Sequence, residues 1–184
     1  MDYGLPGTEP GGMERRRQVE REILVCAFTG HRPEKLPWRE NEADPRCLAL
    51  KQRLAGAVEQ AYAQGARRFI CGMARGADFY FCEAVIALRR RAAPIVLEGA
   101  IPFPGQADRW KEEDRVRYRG LLDECDRLTI VQQKYDRECM LRRDRYMVER
   151  AQMLLAVYNG MPGGTRYTIA YAMSRGAAVT ILDL

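Results

Sequence analysis

The only histidine of the chain lies at the end of the first apolar segment, in the sequence TGHRP, residues 29–33. His31 can donate and accept hydrogen bonds near neutral pH, and Arg32 can make a bidentate contact with a phosphate or a carboxylate. A catalytic pair would also need a neighbouring carboxylate or nucleophile, whereas a binding role needs only the position at a strand end. The sequence therefore favours ligand binding by both side chains and leaves the catalytic residues unknown.

Two glycine-rich segments, CGMARGAD (71–78) and NGMPGGT (159–165), precede predicted helices. Glycine allows positive φ and a close approach of backbone N–H groups to a phosphate, although each segment alone could be only a tight turn with a helix cap. Neither is a P-loop or a G-x-G-x-x-G fingerprint. Two such segments at one sheet edge predict a phosphate or nucleotide site. The predicted ligand-binding residues are Gly30, His31, Arg32, Gly72, Met73, Gly76, Ala77, Asp78, Arg143, Gly163, Gly164 and Thr165.

Short apolar runs alternate with longer amphipathic segments from Ile23 onwards. Strands are predicted at 23–28, 68–72, 94–102, 127–132, 153–159 and 177–184, and helices at 47–65, 77–91, 106–125, 137–151 and 165–176. This alternation predicts a single Rossmann-like three-layer α/β/α domain over residues 22–184, with a mainly parallel sheet whose carboxyl edge gathers the segments above. Residues 1–21 are predicted to be a leader, disordered or partly helical.

The composition is that of an ordinary globular chain, with 184 residues, 47% hydrophobic, 30% charged and a net charge of +5. Because basic and acidic residues are interleaved, the charge weakly favours an anionic ligand and argues against direct binding of nucleic acid. Six scattered cysteines and one histidine predict no metal site. The free thiols and the lack of a membrane span favour the cytoplasm, and no cofactor is predicted.

Other side chains near the predicted binding edge have alternative roles. Asp78 is the only acid predicted at the binding edge, and Ser174, the only serine, lies in a helix far from His31 in sequence. Trp38 and Trp110 follow strand ends, where each could stack on a base or serve equally well as a buried anchor. No basic groove or aromatic strip suited to single-stranded DNA is evident.

Taken together, TGHRP, CGMARGAD and RRDRYMVERAQMLLAVYNGMPGGT resemble the YpsA-like family of the SLOG superfamily. That superfamily also includes the LOG phosphoribohydrolases and the Rossmann-like domain of the DNA-processing protein DprA. The resemblance covers nearly all of residues 23–184. It implies a domain that binds a nucleotide or a nucleotide-derived molecule, with ADP-ribose-like or NAD-derived ligands as the leading candidates, and it is compatible with a homo-oligomer.

The comparison with the LOG enzymes implies binding rather than catalysis. Arg143 and Met147 fall where the LOG arginine and methionine would stand, and Pro162–Thr165 resembles the LOG glycine loop. Thr168 occupies the position of the LOG catalytic glutamate. A sensor or regulator is therefore the first hypothesis. An N-glycosidase that uses other residues, such as His31 or Asp78, and an interaction module in cell division or stress control remain alternatives.

Overall fold

The computed structural model describes residues 23–91 and 94–184, so the prediction for the leader, residues 1–21, lies outside the described residues. The strands are β1 (Leu24–Gly30), β2 (Ala66–Cys71), β3 (Val96–Ile101), β4 (Arg127–Ile130), β5 (Met153–Tyr158) and β6 (Ala178–Asp183). The helices are α1 (Pro45–Ala63), α2 (Ala77–Arg89), α3 (Glu112–Asp123), α4 (Cys139–Val148) and α5 (Gly164–Ser174). A short 3₁₀ turn spans Pro33–Lys35.

All six strands are parallel and follow the order β4-β3-β2-β1-β5-β6. From β1 the chain adds strands in one direction as far as β4, and it then returns to the other side of β1 to form β5. This reversal creates a switch point between the carboxyl ends of β1 and β5, where Gly30 is the register partner of Val157. Sheets of this kind bind ligands at such a point. The predicted Rossmann-like α/β domain is confirmed, and its sheet is entirely parallel among the described residues.

The two faces of the sheet pack against separate apolar clusters. Side chains of β1 alternate between them: Cys26 and Phe28 join the cluster under α1, α2 and α3, whereas Val25 and Ala27 join the cluster under α4 and α5. The alternation follows from the period of two along a strand. On α1, the side chains that spacing places on one face are buried, namely Leu50, Leu54, Val58 and Ala61. The three layers are therefore helix, sheet and helix.

One element begins later than the sequence indicates. Helix α3 starts at Glu112, whereas the prediction began it at Gln106. Residues 102–110 instead form consecutive turns, in which the N–H groups of Gln106 and Asp108 donate to the carbonyls of Phe103 and Gly105. Pro104 and Gly105 favour turns, and the acids Glu112, Glu113 and Asp114 favour the first turn of a helix because of its dipole. This loop forms a second cavity, described below.

The cysteines, the apolarity of the helices and the grouping of metal-ligating side chains bear on the predictions above. All six cysteines are free thiols. Within residues 23–91 and 94–184, no helix is both long enough and apolar enough to cross a membrane, and no group of three or more metal-ligating side chains is present.

Candidate functional site

A cavity of about 260 Å³ lies at the switch point of the sheet. The end of β1, the start of α2, one face of α4 and the start of α5 form its walls; we call it the first cavity. Seven of the predicted site residues line it, namely Gly30, His31, Arg32, Asp78, Arg143, Gly164 and Thr165. The fold thus brings together residues that are up to 135 positions apart in the sequence (165 − 30).

His31 is buried and held by the neighbouring strand end. Its Nε2 lies 2.7 Å from Oδ1 of Asn159, which also accepts from the N–H of Met161 at 3.1 Å. The backbone N–H of Asn159 also points at Nε2, at 3.3 Å. Because the contact with the amide oxygen is the shorter of the two, Nε2 is assigned the proton, and Nδ1 is left as an acceptor 3.4 Å from Oγ1 of Thr165. Burial lowers the pKa of His31, the bond to Asn159 partly opposes this, and the charge of Lys35 lowers it further. A neutral imidazole therefore presents an acceptor nitrogen beside Thr165.

Two carboxylates lie near one guanidinium in the wall of the first cavity: Asp144 is paired with Arg143, and Asp78 is within reach of its charge. Nε of Arg143 donates to Asp144 at 2.7 Å, and its Nη1 donates to the carbonyl of Gly72. The N–H of Ala74 donates to Asp78 at 3.1 Å. Burial raises the pKa of Asp78 to about 6, although the charge of Arg143 and the bond from Ala74 oppose the shift. Arg143 is thus largely engaged by protein groups, so it is a weaker source of countercharge for a phosphate than the sequence suggested.

Two glycines allow this arrangement. A Cβ on Gly72 would lie 2.0 Å from Nη1 of Arg143, so only glycine lets the guanidinium reach the carbonyl beneath it. Gly76 has φ of +85° at the start of α2, and a Cβ there would lie 2.8 Å from the carbonyl oxygen of His31. That carbonyl accepts from the N–H of Ala77 at 3.1 Å, which joins the first two loops. Both glycines therefore have a steric role in building the cavity rather than a direct one in lining it.

Two further cations of the first cavity are available to an anionic ligand. Arg32 and Lys35 line the first cavity, and among the described residues neither forms an ion pair. Nζ of Lys35 donates to the carbonyl of Pro162 at 3.1 Å, beside the start of α5. Gly163, with φ of +144°, leads into that helix, whose first N–H groups have no partner within the helix. A helix N-terminus next to two cations is a favourable environment for a phosphate.

The remaining predicted residues do not line the first cavity. Met73 is fully buried, with φ of +55°, and packs in the core near Gly99 and Cys82. Gly72, Gly76 and Ala77 are buried beneath the wall, and Gly163 is exposed at its rim.

Three residues that sequence reasoning missed belong to the site, namely Lys35 in the 3₁₀ turn, Asn159 and Asp144. Asn159 directly follows β5, and its place at the same edge as His31 was a usable signal. Asp144 gave no such signal, because it lies among arginines in LRRDRYMVER. The expectation that Asp78 is the only acid at this edge is wrong. Asp144 also lines the cavity, and it accepts a hydrogen bond at 3.1 Å from Oγ1 of Thr168.

With this geometry, the comparisons with known proteins become informative. The model of the YspA SLOG family matches residues 26–180. The chain belongs to that family. This SLOG protein is 28% identical over 142 residues to the uncharacterised SPbeta prophage-derived protein YoqJ of Bacillus subtilis, covering 70% of this chain and 83% of that protein. It is 27% identical over 160 residues to a UPF0398 protein of Bacillus thuringiensis, covering 84% of this chain and 85% of that protein.

Solved structures with the same fold include two DprA proteins. The DprA of Streptococcus pneumoniae has a TM-score of 0.54 at 15% identity, and the match covers 86% of this chain and 50% of that chain. The DprA of Helicobacter pylori has a TM-score of 0.59 at 14% identity, and the match covers 88% of this chain and 66% of that chain. At these identities the likeness shows the fold. This SLOG chain spans about half to two thirds of the DprA chains.

The fold comparison corrects one prediction. Interleaved charge and a modest net charge argued against direct binding of nucleic acid. That prediction is wrong, because the Helicobacter pylori structure with this fold is described as showing a single-stranded DNA binding mode. The inference failed because total charge does not report the local surface on which a strand would lie.

Proposed function

We propose that this SLOG protein binds a nucleotide or a nucleotide-derived molecule, such as ADP-ribose or an NAD derivative, in the first cavity and acts as a sensor or regulator. The observation that carries the proposal is the placement of the α5 N-terminus, Lys35 and Arg32 around a cavity at the switch point. Free thiols at all six cysteines support a reducing compartment, so we propose the cytoplasm as its location.

The charges of the cavity suggest how such a ligand lies. Asp78 and Asp144 would repel a phosphate, and their oxygens can accept from sugar hydroxyls. Phosphate groups are better accommodated at Gly163–Thr165, where helix N–H groups and Lys35 are close. Nδ1 of His31 would accept from a hydroxyl between these two ends. The ligand that fits is therefore anionic at one end and rich in hydroxyls at the other.

A thermal-shift panel tests this proposal. It contains NAD, ADP-ribose, cyclic ADP-ribose isomers, nucleoside monophosphates and a short single-stranded oligonucleotide. A ligand at a hundred times its Kd stabilises the folded state by about 2.7 kcal/mol. Arg32→Ala and Lys35→Ala should each reduce the shift, whereas Arg175→Ala, an exposed arginine at the other end of α5, should not. The absence of a shift with every compound, or equal shifts in all three variants, would contradict the proposal.

A second function, N-glycoside hydrolysis, is favoured by the contact between Asp144 and Thr168. Thr168 stands where the LOG enzymes have their glutamate, so α4 supplies a carboxylate beside the position that α5 leaves without one. Asp144 would accept a proton from a water molecule while the oxygen of that water bonds to the sugar C1′. The C1′–N bond would break, and the leaving base would take its proton from Asp78, whose raised pKa suits a general acid.

Release of free base from nucleoside monophosphates tests this second function. Asp144→Asn should abolish release while leaving the thermal shift with the same nucleotide within about twofold in apparent affinity. Thr180→Val, on an exposed strand position, serves as the control. No release by the wild-type protein at high concentration would remove hydrolysis and leave the binding proposal intact.

A further inference from the structure

A second cavity, of about 430 Å³, opens on the loop that the late start of α3 creates. Phe103, Trp110 and Tyr135 line it, together with Gln106 and Arg109; we call it the aromatic cavity. Its volume lies in the range typical of small-molecule sites. Its three aromatic side chains distinguish it from the first cavity, where most of the lining residues are polar or charged.

The aromatic rings differ in how far packing explains them. Trp110 meets the edges of Phe79 and Tyr118, with ring centroids 6.0 and 5.2 Å away, so the protein core fixes its position. Tyr135 is 66% exposed and touches Phe103 edge to face at 5.2 Å. Packing accounts for Trp110 but not for an exposed tyrosine after β4. An exposed aromatic ring beside a cavity offers a free face on which a flat heterocycle can stack.

The aromatic cavity lies at the same edge of the sheet as the first cavity. Its loop follows β3, and Tyr135 follows β4. The segment Met73–Ala74 links the two sites, because Nε2 of Gln106 donates to the carbonyl of Met73 at 2.8 Å while the N–H of Ala74 donates to Asp78. The phosphates are placed at the start of α5, which follows β5, and strands β3 and β5 are three positions apart, which corresponds to roughly 15 Å. An extended ligand with a pyrophosphate, such as ADP-ribose, can span that separation.

We propose that the aromatic cavity binds a nucleobase, stacked on the ring of Tyr135, of a ligand whose phosphates lie in the first cavity. The proposal rests on the proposed function for the placement of the phosphates. Arg109, exposed on the rim, adds a donor for ring nitrogens or carbonyl oxygens of the base. The base belongs either to a free nucleotide or to a unit of a single strand, since both present the same ring.

Tryptophan fluorescence tests this site directly. Trp38 is 6% exposed and lies outside the cavity, so Trp38→Phe leaves Trp110 as the only tryptophan and the only fluorophore of its kind at the site. Titration with AMP, ADP-ribose or oligo(dT) should quench Trp110, whereas ribose 5-phosphate, which has no base, should not. Should Trp38→Phe fold poorly, the wild-type protein serves, because Trp38 contributes a constant background.

Substitution of the exposed tyrosine gives the second measurement. Tyr135→Ala should weaken the binding of base-containing ligands by about 5- to 150-fold, the factor expected for one base–aromatic stack. Tyr171→Ala, a half-buried tyrosine on α5 that lines neither cavity, is the control and should change affinity less than twofold. Because the ring of Tyr135 is mostly in solvent, its removal should leave the thermal unfolding midpoint unchanged.

The outcomes separate this proposal from the proposed function. If the substitution Tyr135→Ala abolishes the quenching of Trp110, the base site is supported. Tighter binding of AMP and ADP-ribose than of oligo(dT), or the reverse, identifies the source of the base. A thermal shift with ADP-ribose but neither quenching nor loss in Tyr135→Ala overturns the base site and leaves the first cavity standing. Quenching that persists in Arg32→Ala and Lys35→Ala with unchanged affinity supports the base site and contradicts the placement of the phosphates. No quenching by any base-containing ligand at millimolar concentration overturns the proposal.

Discussion

Asp78 should make the stability of this protein depend on pH in an unusual direction. Its side chain is 5% exposed, and burial is the main cause of its raised pKa. An unfolded aspartate has a pKa near 3.9. Between that value and the folded value of about 6, the folded chain holds a proton that the unfolded chain releases. The free energy of unfolding therefore falls as pH rises through this window, whereas a paired surface carboxylate has the opposite effect.

The expected magnitude follows from the shift. A rise from 3.8 to about 6 is about two pKa units, or about 3 kcal/mol between the fully protonated and fully ionised states. Most of this change falls between pH 4 and pH 7. Asp78→Asn removes the titration and keeps an oxygen that can accept from the N–H of Ala74. The free energy of unfolding of the wild type minus that of Asp78→Asn should thus decrease by about 3 kcal/mol as pH rises from 4 to 7.

Urea denaturation at half-unit steps from pH 4 to pH 7.5 measures this difference, and other titrating groups cancel because both proteins contain them. Asp144→Asn provides a second arm. The charge of Asp144 raises the pKa of Asp78, so its removal should move the window to lower pH. A difference between wild type and Asp78→Asn that stays constant within about 0.5 kcal/mol across the range would refute the reasoning.

Three further predictions concern the walls of the first cavity. Gly72→Ala should destabilise the fold by about 1–3 kcal/mol, because its Cβ would collide with Arg143. Gly120→Ala, whose Cβ would have nothing within 4 Å, should be neutral or stabilising by up to about 1 kcal/mol. Equal denaturation midpoints for the two variants would contradict this prediction. NMR titration of His31, the only histidine, should give a pKa below 6.5, lowered further in Asn159→Ala; a value above 6.5 would count against the assigned burial. Thr168→Val should cost about 1–3 kcal/mol in denaturation experiments by removing its bonds to Asp144 and Gly164, and a cost no larger than that of Thr180→Val would show that these bonds are unimportant.

The elements of this fold could be predicted because their signals are local. Residues 153–158 are apolar with no breaks, and the glycines at 72 and 76 mark the turn between β2 and α2. The parallel arrangement then follows from the alternation of strands and helices, and it places His31 near the loop before α5. Strand order was not predictable, since no local signal states on which side of β1 the chain adds β5.

The start of α3 and the inward-facing charged residues of α4 were not predicted, for physical reasons. Helical periodicity continues through QADRW, but Pro104 and Gly105 favour turns and the acids from Glu112 onwards favour the helix start, so turn chemistry decides the boundary. In LRRDRYMVER, sequence spacing could not tell which of the charged side chains face inward. The packing of α4 against the sheet buries Arg143 and Asp144 while leaving Arg142 and Arg145 exposed.

The carboxylate at position 78 is better explained by a ligand than by packing. Its one hydrogen bond with a described backbone group comes from the N–H of Ala74, and an asparagine could accept the same bond without the cost of a buried charge. The nearby guanidinium does not remove this cost, because Arg143 is also shared with Asp144 and the carbonyl of Gly72. A buried acid whose ionised form is disfavoured, facing a cavity at the switch point of the sheet, is typical of groups that accept from a substrate or exchange a proton with it. The bond from Ala74 accounts for an oxygen at position 78, and the ligand that we propose for the first cavity would account for an acid there.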